Sequence, residues 1–320
     1  MNRRQRLAVR LLALAMSVAV VAPVGAQEAT DWFSPGEVGV PAADAYVRAI
    51  TLQRQGMSTE ALAVFDEIVA RYGNDERPSS QASVAMAFFG KARLLADLGE
   101  HDAAVAAYDQ VIRRHYYEES LSLRQLVFRA MLEKARLSAR PQDKIGVYDE
   151  IAVRFGNDER PGMRAWVVDA LNDKATLLAR QGRLDEALAV YDEIEARFGD
   201  ALDPTLRERV AHACLNRGVT LGEQGMAARS LAAFDDVAQR FGKDESANMR
   251  ELVARALFDK GVTLAREGRQ REAVSVYDDV ERRYGKVDDP ALRQLTAAAR
   301  ANRREAAIRA GMSGAKGTKR

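Results

Sequence analysis

Six near-copies of one nine-residue pattern recur along the chain, and they constrain its fold more than any other feature. Each copy begins with an aromatic residue followed by Asp, and all but one end in Arg, an aromatic residue and Gly. The leading aromatic residues are spaced by 43, 40, 43, 43 and 43 positions; they are Phe65, Tyr108, Tyr148, Tyr191, Phe234 and Tyr277. A near-constant period of this length predicts stacked units that share one continuous core.

Apolar residues within each unit follow the period of an amphipathic helix. In the fourth unit a first stripe is followed by Gly182 and then by a second stripe; the two contain Leu171, Ala175 and Leu178, and then Leu184, Ala187, Tyr191 and Ile194. The short break forces the two helices to be antiparallel. The sequence therefore predicts an all-α fold, an α-solenoid of about six helical hairpins.

The second helix of each unit has a recurrent ending. A basic residue lies in its last turn, where a cation complements the helix dipole; these are Arg71, Arg114, Arg154, Arg197, Arg240 and Arg283. The glycines that follow are expected to be left-handed C-terminal caps; they are Gly73, Gly156, Gly199, Gly242 and Gly285. Acidic loops come next, and Asp203-Pro204 and Asp289-Pro290 predict the capped start of a new first helix.

The first 26 residues have the pattern of a secretory signal. Four arginines precede an apolar stretch from Leu11 to Val24, and Val24-Gly25-Ala26 supplies small residues at the cleavage position. The mature chain would begin at Gln27 and be periplasmic. The alternative is an uncleaved anchor, although Pro23 and Gly25 interrupt the end of a stretch that is short for a membrane span.

Removal of the signal changes the charge balance of the chain. Four of the 48 basic residues precede Gln27, which leaves 44 against 46 acidic residues. The mature chain is slightly acidic, so its charge gives no argument for nucleic acid as a partner. Its one cysteine, Cys214, cannot form an intramolecular disulfide.

The remaining boundaries follow from the end of the periodic pattern. Residues 27–41 are expected to be an extended segment, and residues 42–310 one elongated repeat domain that ends in a capping helix from about Ala291 to Ala310. The Gly-rich basic tail, 311–320, is expected to be disordered. The third unit lacks three residues and its turn glycine, so we expect the stack to bend or change pitch there.

The order and spacing of a small residue, Leu, Gly, Ala and an aromatic residue within a unit resemble the tetratricopeptide repeat. In the fourth unit these residues are Ala175, Leu178, Gly182, Ala187 and Tyr191, and the sixth unit has Gly261, Leu264, Gly268, Ala273 and Tyr277. The resemblance covers about Ala42 to Gly285, although the repeat is 43 residues long rather than about 34. It implies a non-catalytic scaffold that holds a protein or peptide in a concave groove lined by the first helices, and secreted bacterial relatives resemble organising factors of the cell envelope.

Basic residues recur once per unit on the first helix and again near its start. They are Arg48, Lys91, Lys134, Lys174, Arg217 and Lys260, and then Arg124, Arg164, Arg207, Arg250 and Arg293. One interpretation is a cationic ladder for a polyanionic envelope polymer, which would make the protein an accessory or carrier. The other is structural pairing inside each repeat, with acidic loops or with Asp66, Asp109, Asp149, Asp192, Asp235 and Asp278.

The face of the first helix opposite the core stripe varies from unit to unit, and variable residues on a repeated framework are where a partner would be recognised. The candidates for groove contacts are Tyr46, Phe89, Arg93, Arg136, Asn172, Asn216 and Phe258. Packing between hairpins is the alternative for the apolar ones. No catalytic motif or metal-ligand spacing occurs, so neither an enzyme nor a cofactor is expected.

Overall fold

The computed structural model describes residues 41–117 and 119–312, and within these ranges the chain forms thirteen α-helices and no β-strand. The helices are α1 (Pro41–Arg54), α2 (Ser58–Tyr72), α3 (Pro78–Asp97), α4 (His101–Arg114), α5 (Leu121–Leu137), α6 (Pro141–Phe155), α7 (Pro161–Arg180), α8 (Leu184–Phe198), α9 (Pro204–Glu223), α10 (Ala227–Phe241), α11 (Ala247–Arg266), α12 (Gln270–Tyr284) and α13 (Pro290–Arg309). The all-α helical repeat fold is confirmed. The signal, the segment before Pro41 and the tail beyond Met312 lie outside the described residues.

The chain divides into two compact units between Leu137 and Ser138. In unit 1 each of the helices α1 to α5 packs against the next, and the first helices α1, α3 and α5 lie side by side. In unit 2 the first helices α7, α9, α11 and α13 form one layer, and the second helices α6, α8, α10 and α12 pack between them as another. Sequence periodicity predicts one elongated domain, whereas the boundary between the units falls inside the short third repeat.

Prolines and aspartates begin the first helices as the sequence predicts. Asp203 accepts a hydrogen bond from the backbone N–H of Leu206 at 3.0 Å, and Asp289 accepts one from Leu292 at 2.9 Å. Each therefore caps one backbone donor that the first turn leaves unpaired. The loops at 73–78 and 156–161 have the same sequence. In them Asp75 and Asp158 instead accept a hydrogen bond from the backbone N–H two residues further on, at 3.0 Å in each case. These acidic loops end one hairpin and start the next.

Glycines at the ends of the second helices are not left-handed caps, and that prediction is wrong. Gly156 has φ −64° and Gly242 has φ −67°, both in the right-handed helical region. They are glycines because an added Cβ would lie 2.2 Å from the carbonyl oxygen four residues earlier. Apart from Gly311 after the last helix, the left-handed glycines of the described residues are the turn glycines inside the hairpins, such as Gly182 at φ +76° and Gly268 at φ +77°, where other residues would be strained.

The arginine in the last turn of the second helix makes more specific contacts than a helix dipole requires. The Arg240 guanidinium lies 5.1 Å from the centre of the neighbouring Phe241 ring. Arg240 Nη2 also donates to the carbonyl oxygen of Gly199, one repeat earlier, at 3.1 Å. Arg114 does the same to Gly73 at 3.0 Å. These arginines therefore join the ends of successive second helices, in addition to complementing the dipole.

The leading aromatic residues form the centre of each hairpin. Tyr108, Tyr191, Phe234 and Tyr277 are all buried to 2 % exposure or less. The small residue of the first helix is needed beneath this ring, since a Cβ on Gly261 would lie 2.5 Å from Tyr277. The constant part of the repeat is thus the packing framework.

Candidate functional site on the first-helix face

The cationic ladder forms ion pairs between adjacent repeats. From the second repeat onward, each basic residue of the ladder contacts the Asp that lies 25 residues earlier, on the preceding second helix. The pairs measured at 2.5 to 2.8 Å are Lys91–Asp66, Lys134–Asp109, Lys174–Asp149, Arg217–Asp192 and Lys260–Asp235, and Arg303 of α13 contacts Asp278 in the same way. Pairing with these aspartates is as the structural interpretation predicts, but it joins neighbouring repeats rather than residues inside one repeat.

Arginines near the start of the first helix also have a structural role. Arg164 lies 5.3 Å from the centre of the Phe198 ring and donates to the carbonyl oxygen of Arg197 at 3.2 Å. Arg207 repeats both contacts at Phe241 and Arg240, at 5.1 Å and 3.0 Å. Each of these rings therefore lies between two guanidinium groups. The structure explains these positions without a polyanion.

The aromatic groove candidates pack inside their own hairpins. Tyr46 and Phe89 are 8 % and 6 % exposed. Tyr46 packs on Phe65 of α2, Phe89 packs edge-on against Tyr108 of α4, and the half-buried Phe258 packs on Tyr277 of α12. Packing within one hairpin, rather than between hairpins, explains the burial of these three residues, and a partner contact at any of them stays a prediction.

The polar candidates divide between surface and helix interface. Arg93 is exposed, and Arg136 is exposed with an ion pair to Glu133 at 3.1 Å. Asn172 is only 9 % exposed, and its Oδ1 accepts a hydrogen bond from Asn216 Nδ2 at 3.0 Å. Asn172 and Asn216 therefore connect α7 to α9, and Asn216 also lies 3.3 Å from His212 Nδ1.

We define the first-helix face of unit 2 as the surface of α7, α9 and α11 that points away from the second helices. It repeats every 43 residues at four positions per helix, and these positions share one helix face because successive ones are three, four and seven residues apart. The members are Trp166, Asp169, Asp173 and Arg180 on α7; Arg209, His212, Asn216 and Glu223 on α9; and Leu252, Arg255, Asp259 and Arg266 on α11. Equivalent positions thus change from acid to imidazole to guanidinium.

Polar contacts cross this face from helix to helix. Arg209 of α9 pairs with Asp169 of α7 at 3.4 Å, and Asn248 of α11 donates to Glu208 of α9 at 3.0 Å. On α11 itself, Arg255 pairs with Asp259 at 2.9 Å. Polar contacts therefore link α7 to α9 on this face, and α9 to α11 beside it.

The electrostatics of the face shift the titration of its buried members. Burial raises the pKa of Asp259 against the opposing charge of Arg255, and Glu223 raises it further. Burial lowers the pKa of His212, and Arg209 lowers it further. Burial, rather than a charge partner, is the main cause of both shifts.

Unit 1 has a smaller equivalent around the hydroxyl of Tyr108. Burial raises the pKa of this tyrosine, and the charges that act on it belong to Glu133, Arg93, Asp97 and Arg129. Tyr277 in unit 2 has a pKa raised to about 12 by burial, while Asn302 lowers it through a hydrogen bond. In both units the hydroxyl of a leading tyrosine thus lies near charged side chains of the first helices. Repeats that have Phe65 or Phe234 at this position have no such hydroxyl.

Sequence reasoning missed most members of the face by about one position around the helix. It selected Asn172 and Phe258, whereas the charged members of the face are their neighbours, the exposed Asp173 and the largely buried Asp259, together with residues one turn away. A first helix packs against its own second helix, the preceding one and two neighbouring first helices. Its buried stripe is therefore wider than that of an ordinary amphipathic helix. The alternation of acidic and basic residues at 43-residue spacing could have identified the face.

The described part of the chain was compared with two further kinds of feature, a metal-binding cluster and a membrane-spanning helix. No group of three or more His, Cys, Asp or Glu side chains is placed to hold a metal ion there. None of the helices there combines the length and apolarity needed to cross a membrane.

Comparisons with known proteins identify chains that are similar to this one. Among solved structures, one similar chain is a tetratricopeptide repeat protein from Parabacteroides merdae, with 15 % identity, a TM-score of 0.39, and coverage of 83 % of this chain and 87 % of that one. Another is a thermophilic tetratricopeptide repeat protein from Thermus thermophilus, with 15 % identity, a TM-score of 0.25, and coverage of 81 % and 99 %. A search of curated proteins finds no significant match.

A family model gives the decisive comparison. The tetratricopeptide repeat model matches residues 46–115, 164–202 and 215–287, more than half of the chain. Repeats of this family generally mediate protein–protein interactions and are generally non-catalytic. The unmatched interval contains most of the irregular third repeat and the boundary between the two units. The chain belongs to the tetratricopeptide repeat family.

Proposed function

We propose that this protein is a non-catalytic scaffold of the bacterial cell envelope that binds a polypeptide partner on the first-helix face of unit 2. One observation carries the proposal. Equivalent positions on this face hold different chemistry, as in Asp169, His212 and Arg255, while the packing framework beneath them is constant. A repeated framework with a varied surface suits recognition of one particular partner, because selection for packing alone would give similar residues at equivalent positions.

The location in the envelope rests on the signal-like pattern of residues 1–26. We expect export of the full chain in a bacterial host to yield a periplasmic protein that begins at Gln27. Cell fractionation followed by intact-mass measurement checks both points. An uncleaved mass in the membrane fraction would instead support the anchor alternative, and a cytoplasmic product of full mass would contradict export.

The binding proposal is tested by a charge exchange that leaves the net charge unchanged. Glu223 and Arg266 occupy equivalent positions in the last turns of α9 and α11, and both are exposed. Both also act on the titration of Asp259, which places them near one another on the face. We expect Glu223→Arg with Arg266→Glu to weaken partner binding by at least about tenfold, since like charges brought together at a contact cost well over 1 kcal/mol.

The matched control exchanges Asp200 and Lys243, which are exposed at equivalent positions in the loops after α8 and α10. Partners captured from envelope extracts with the mature wild-type protein would be identified by mass spectrometry and titrated against both variants. The loop exchange should leave affinity unchanged. Equal affinity of all three proteins, with circular dichroism showing intact helices, would remove the first-helix face from the proposal.

A further inference from the structure

A cavity of about 430 Å³ lies in unit 2, on the side of α9 that faces the second helices, between α8 and α10. It is lined by Glu195 of α8, by Cys214, Arg217 and Leu221 of α9, and by Arg229, Ala232, Ala233, Asp236 and Arg240 of α10. Its volume falls in the range of about 300–1,000 Å³ that is typical of ligand pockets. It lies apart from the first-helix face and is independent of the function proposed for that face.

The repeat pattern explains why this crevice is open. Cys214 occupies a position that holds a larger residue in four of the other five repeats; the six are Ala45, Phe88, Met131, Leu171, Cys214 and Leu257. Opposite it on the second helix, Ala233 stands where most repeats have valine; these are Val64, Ala107, Val147, Val190, Ala233 and Val276. The fifth repeat is small at both positions. The first repeat, with Ala45, has a smaller cavity of about 270 Å³ at the equivalent place.

The second repeat shows what fits into such a crevice. There Phe88 fills the position of Cys214, and the Arg114 guanidinium lies 5.3 Å from the centre of its ring. Arg240 is the equivalent of Arg114, and its Nη1 lies 4.0 Å from Cys214 Sγ. In the fifth repeat the guanidinium is therefore in place without the ring beneath it. A face of an aromatic ring under a guanidinium is a favourable cation–π arrangement.

Among the residues that the structure describes, Arg229 is the cation of this crevice that has no acidic partner. Arg240 pairs with Glu195 at 2.8 Å and with Asp236 at 3.2 Å, and Arg217 pairs with Asp192 at 2.8 Å. Arg229 replaces the acid found at this position in most repeats, such as Glu186 and Glu272. Within the described part of the chain, Arg229 Nη1 contacts the thioether sulfur of Met226 at 3.6 Å. This end of the crevice therefore favours an anionic group.

We propose that the crevice between α8 and α10 binds an aromatic side chain of a polypeptide partner, with an acidic residue about three positions away that pairs with Arg229. The ring takes the place that Phe88 occupies in the second repeat. Arg229 and Arg240 are eleven residues apart on α10, about 16 Å along the helix. Three residues of extended chain cover about 10 Å, and the two side chains span the rest.

The thiol of Cys214 takes no chemical part in this binding. Burial raises its pKa to about 12, and the charge of Glu195 adds to the shift. The thiol is therefore protonated at neutral pH and forms part of the apolar wall. Leu221, Ala232 and Ala233 complete this wall.

The test uses the peptides acetyl-Phe-Gly-Gly-Glu-amide and acetyl-Glu-Gly-Gly-Phe-amide, which cover both chain directions. Saturation-transfer NMR at about 1 mM peptide, a range suited to a weak single site, should show contact of the phenyl protons of at least one peptide with the mature protein. Replacing Phe by Ala in that peptide should abolish the signal. Replacing its Glu by Gln should weaken binding at least threefold.

Protein variants locate the site. Cys214→Leu introduces the residue of the fourth and sixth repeats, fills the cavity and should reduce binding at least tenfold without loss of thermal stability. Ala233→Val fills it from the other side and serves if Cys214→Leu does not fold. Cys214→Ser preserves the volume and should preserve binding, whereas Arg229→Glu should weaken it. Undiminished binding to both filled variants, or no contact of either peptide with the wild-type protein, would overturn the proposal.

Discussion

Replacing Tyr191 with alanine is expected to lower the free energy of unfolding of unit 2 by about 3–5 kcal/mol, as for other large buried aromatic residues. Tyr191 is 2 % exposed on α8, and its hydroxyl oxygen lies 3.4 Å from Thr220 Oγ1 on α9. Loss of the ring would leave a cavity between α8 and the first helices, and α7 and α9 could close it only in part because both are held by further neighbours.

Urea denaturation followed by circular dichroism measures this effect, with Tyr191→Phe and Asn172→Ala as companions. The phenylalanine variant keeps the ring and loses only the hydrogen bonds of the hydroxyl with Thr220 and Thr176, so we expect its free energy of unfolding to fall by about 1 kcal/mol. A groove residue would cost little to replace, but Asn172→Ala is expected to cost about 1 kcal/mol, because Asn172 is buried and accepts the hydrogen bond of Asn216. Equal midpoints for Tyr191→Ala and the wild-type protein would show that the hairpin core is not as described.

Leucine at Gly261 is expected to destabilise unit 2, whereas leucine at Gly146 is expected to stabilise it. An added Cβ on Gly261 would lie 2.5 Å from the ring of Tyr277, which is itself fully buried. Overpacking of this kind costs about 1–3 kcal/mol and occasionally more. Gly146 is exposed on α6, and a Cβ there has no atom within 4 Å. Its replacement removes the cost of glycine in a helix, about 0.5–1 kcal/mol.

The same substitution at two glycines thus separates packing from helix propensity. Thermal unfolding at 222 nm should place Gly261→Leu several degrees below the wild-type protein and Gly146→Leu above it, at about 2–4 °C per kcal/mol for a chain of this size. Gly261→Ala should fall between, since the fourth repeat accommodates Ala175 against Tyr191. A shift in the same direction for both leucine variants would contradict the contact between Gly261 and Tyr277.

Predictions that depend on local chemistry agree with the structure more closely than those that depend on neighbours. The caps at Asp203 and Asp289 need only the first turn of their own helix, and both are present. The glycines after the second helices were assigned a left-handed cap from position alone. Their real constraint is the close approach of a carbonyl oxygen, as at Gly156 and Gly242.

The groove candidates illustrate the same limit. Helical periodicity distinguishes a buried side from an exposed one, but it contains no information on how many helices press against the buried side. Periodicity therefore predicts that Phe89 and Tyr46 are available for a partner, although each packs on the aromatic residue of its own second helix. The charged residues that do line the face, such as Asp169 and Arg255, became recognisable once the neighbouring helices were in place.

The 43-residue period and the alternating apolar stripes by themselves determined that this chain is a stack of helical hairpins, because a stripe on each helix can be buried only against a neighbour. The sequence also predicted the ion pairs from Lys91 to Asp66 and from Lys260 to Asp235, because a basic residue and an Asp recur at the same spacing in successive repeats. Tertiary structure alone decided that these pairs join adjacent repeats, that the chain divides at Leu137, and that the fifth repeat has an open crevice. Each of these depends on distances between helices, which packing of many side chains sets together and no single repeat encodes.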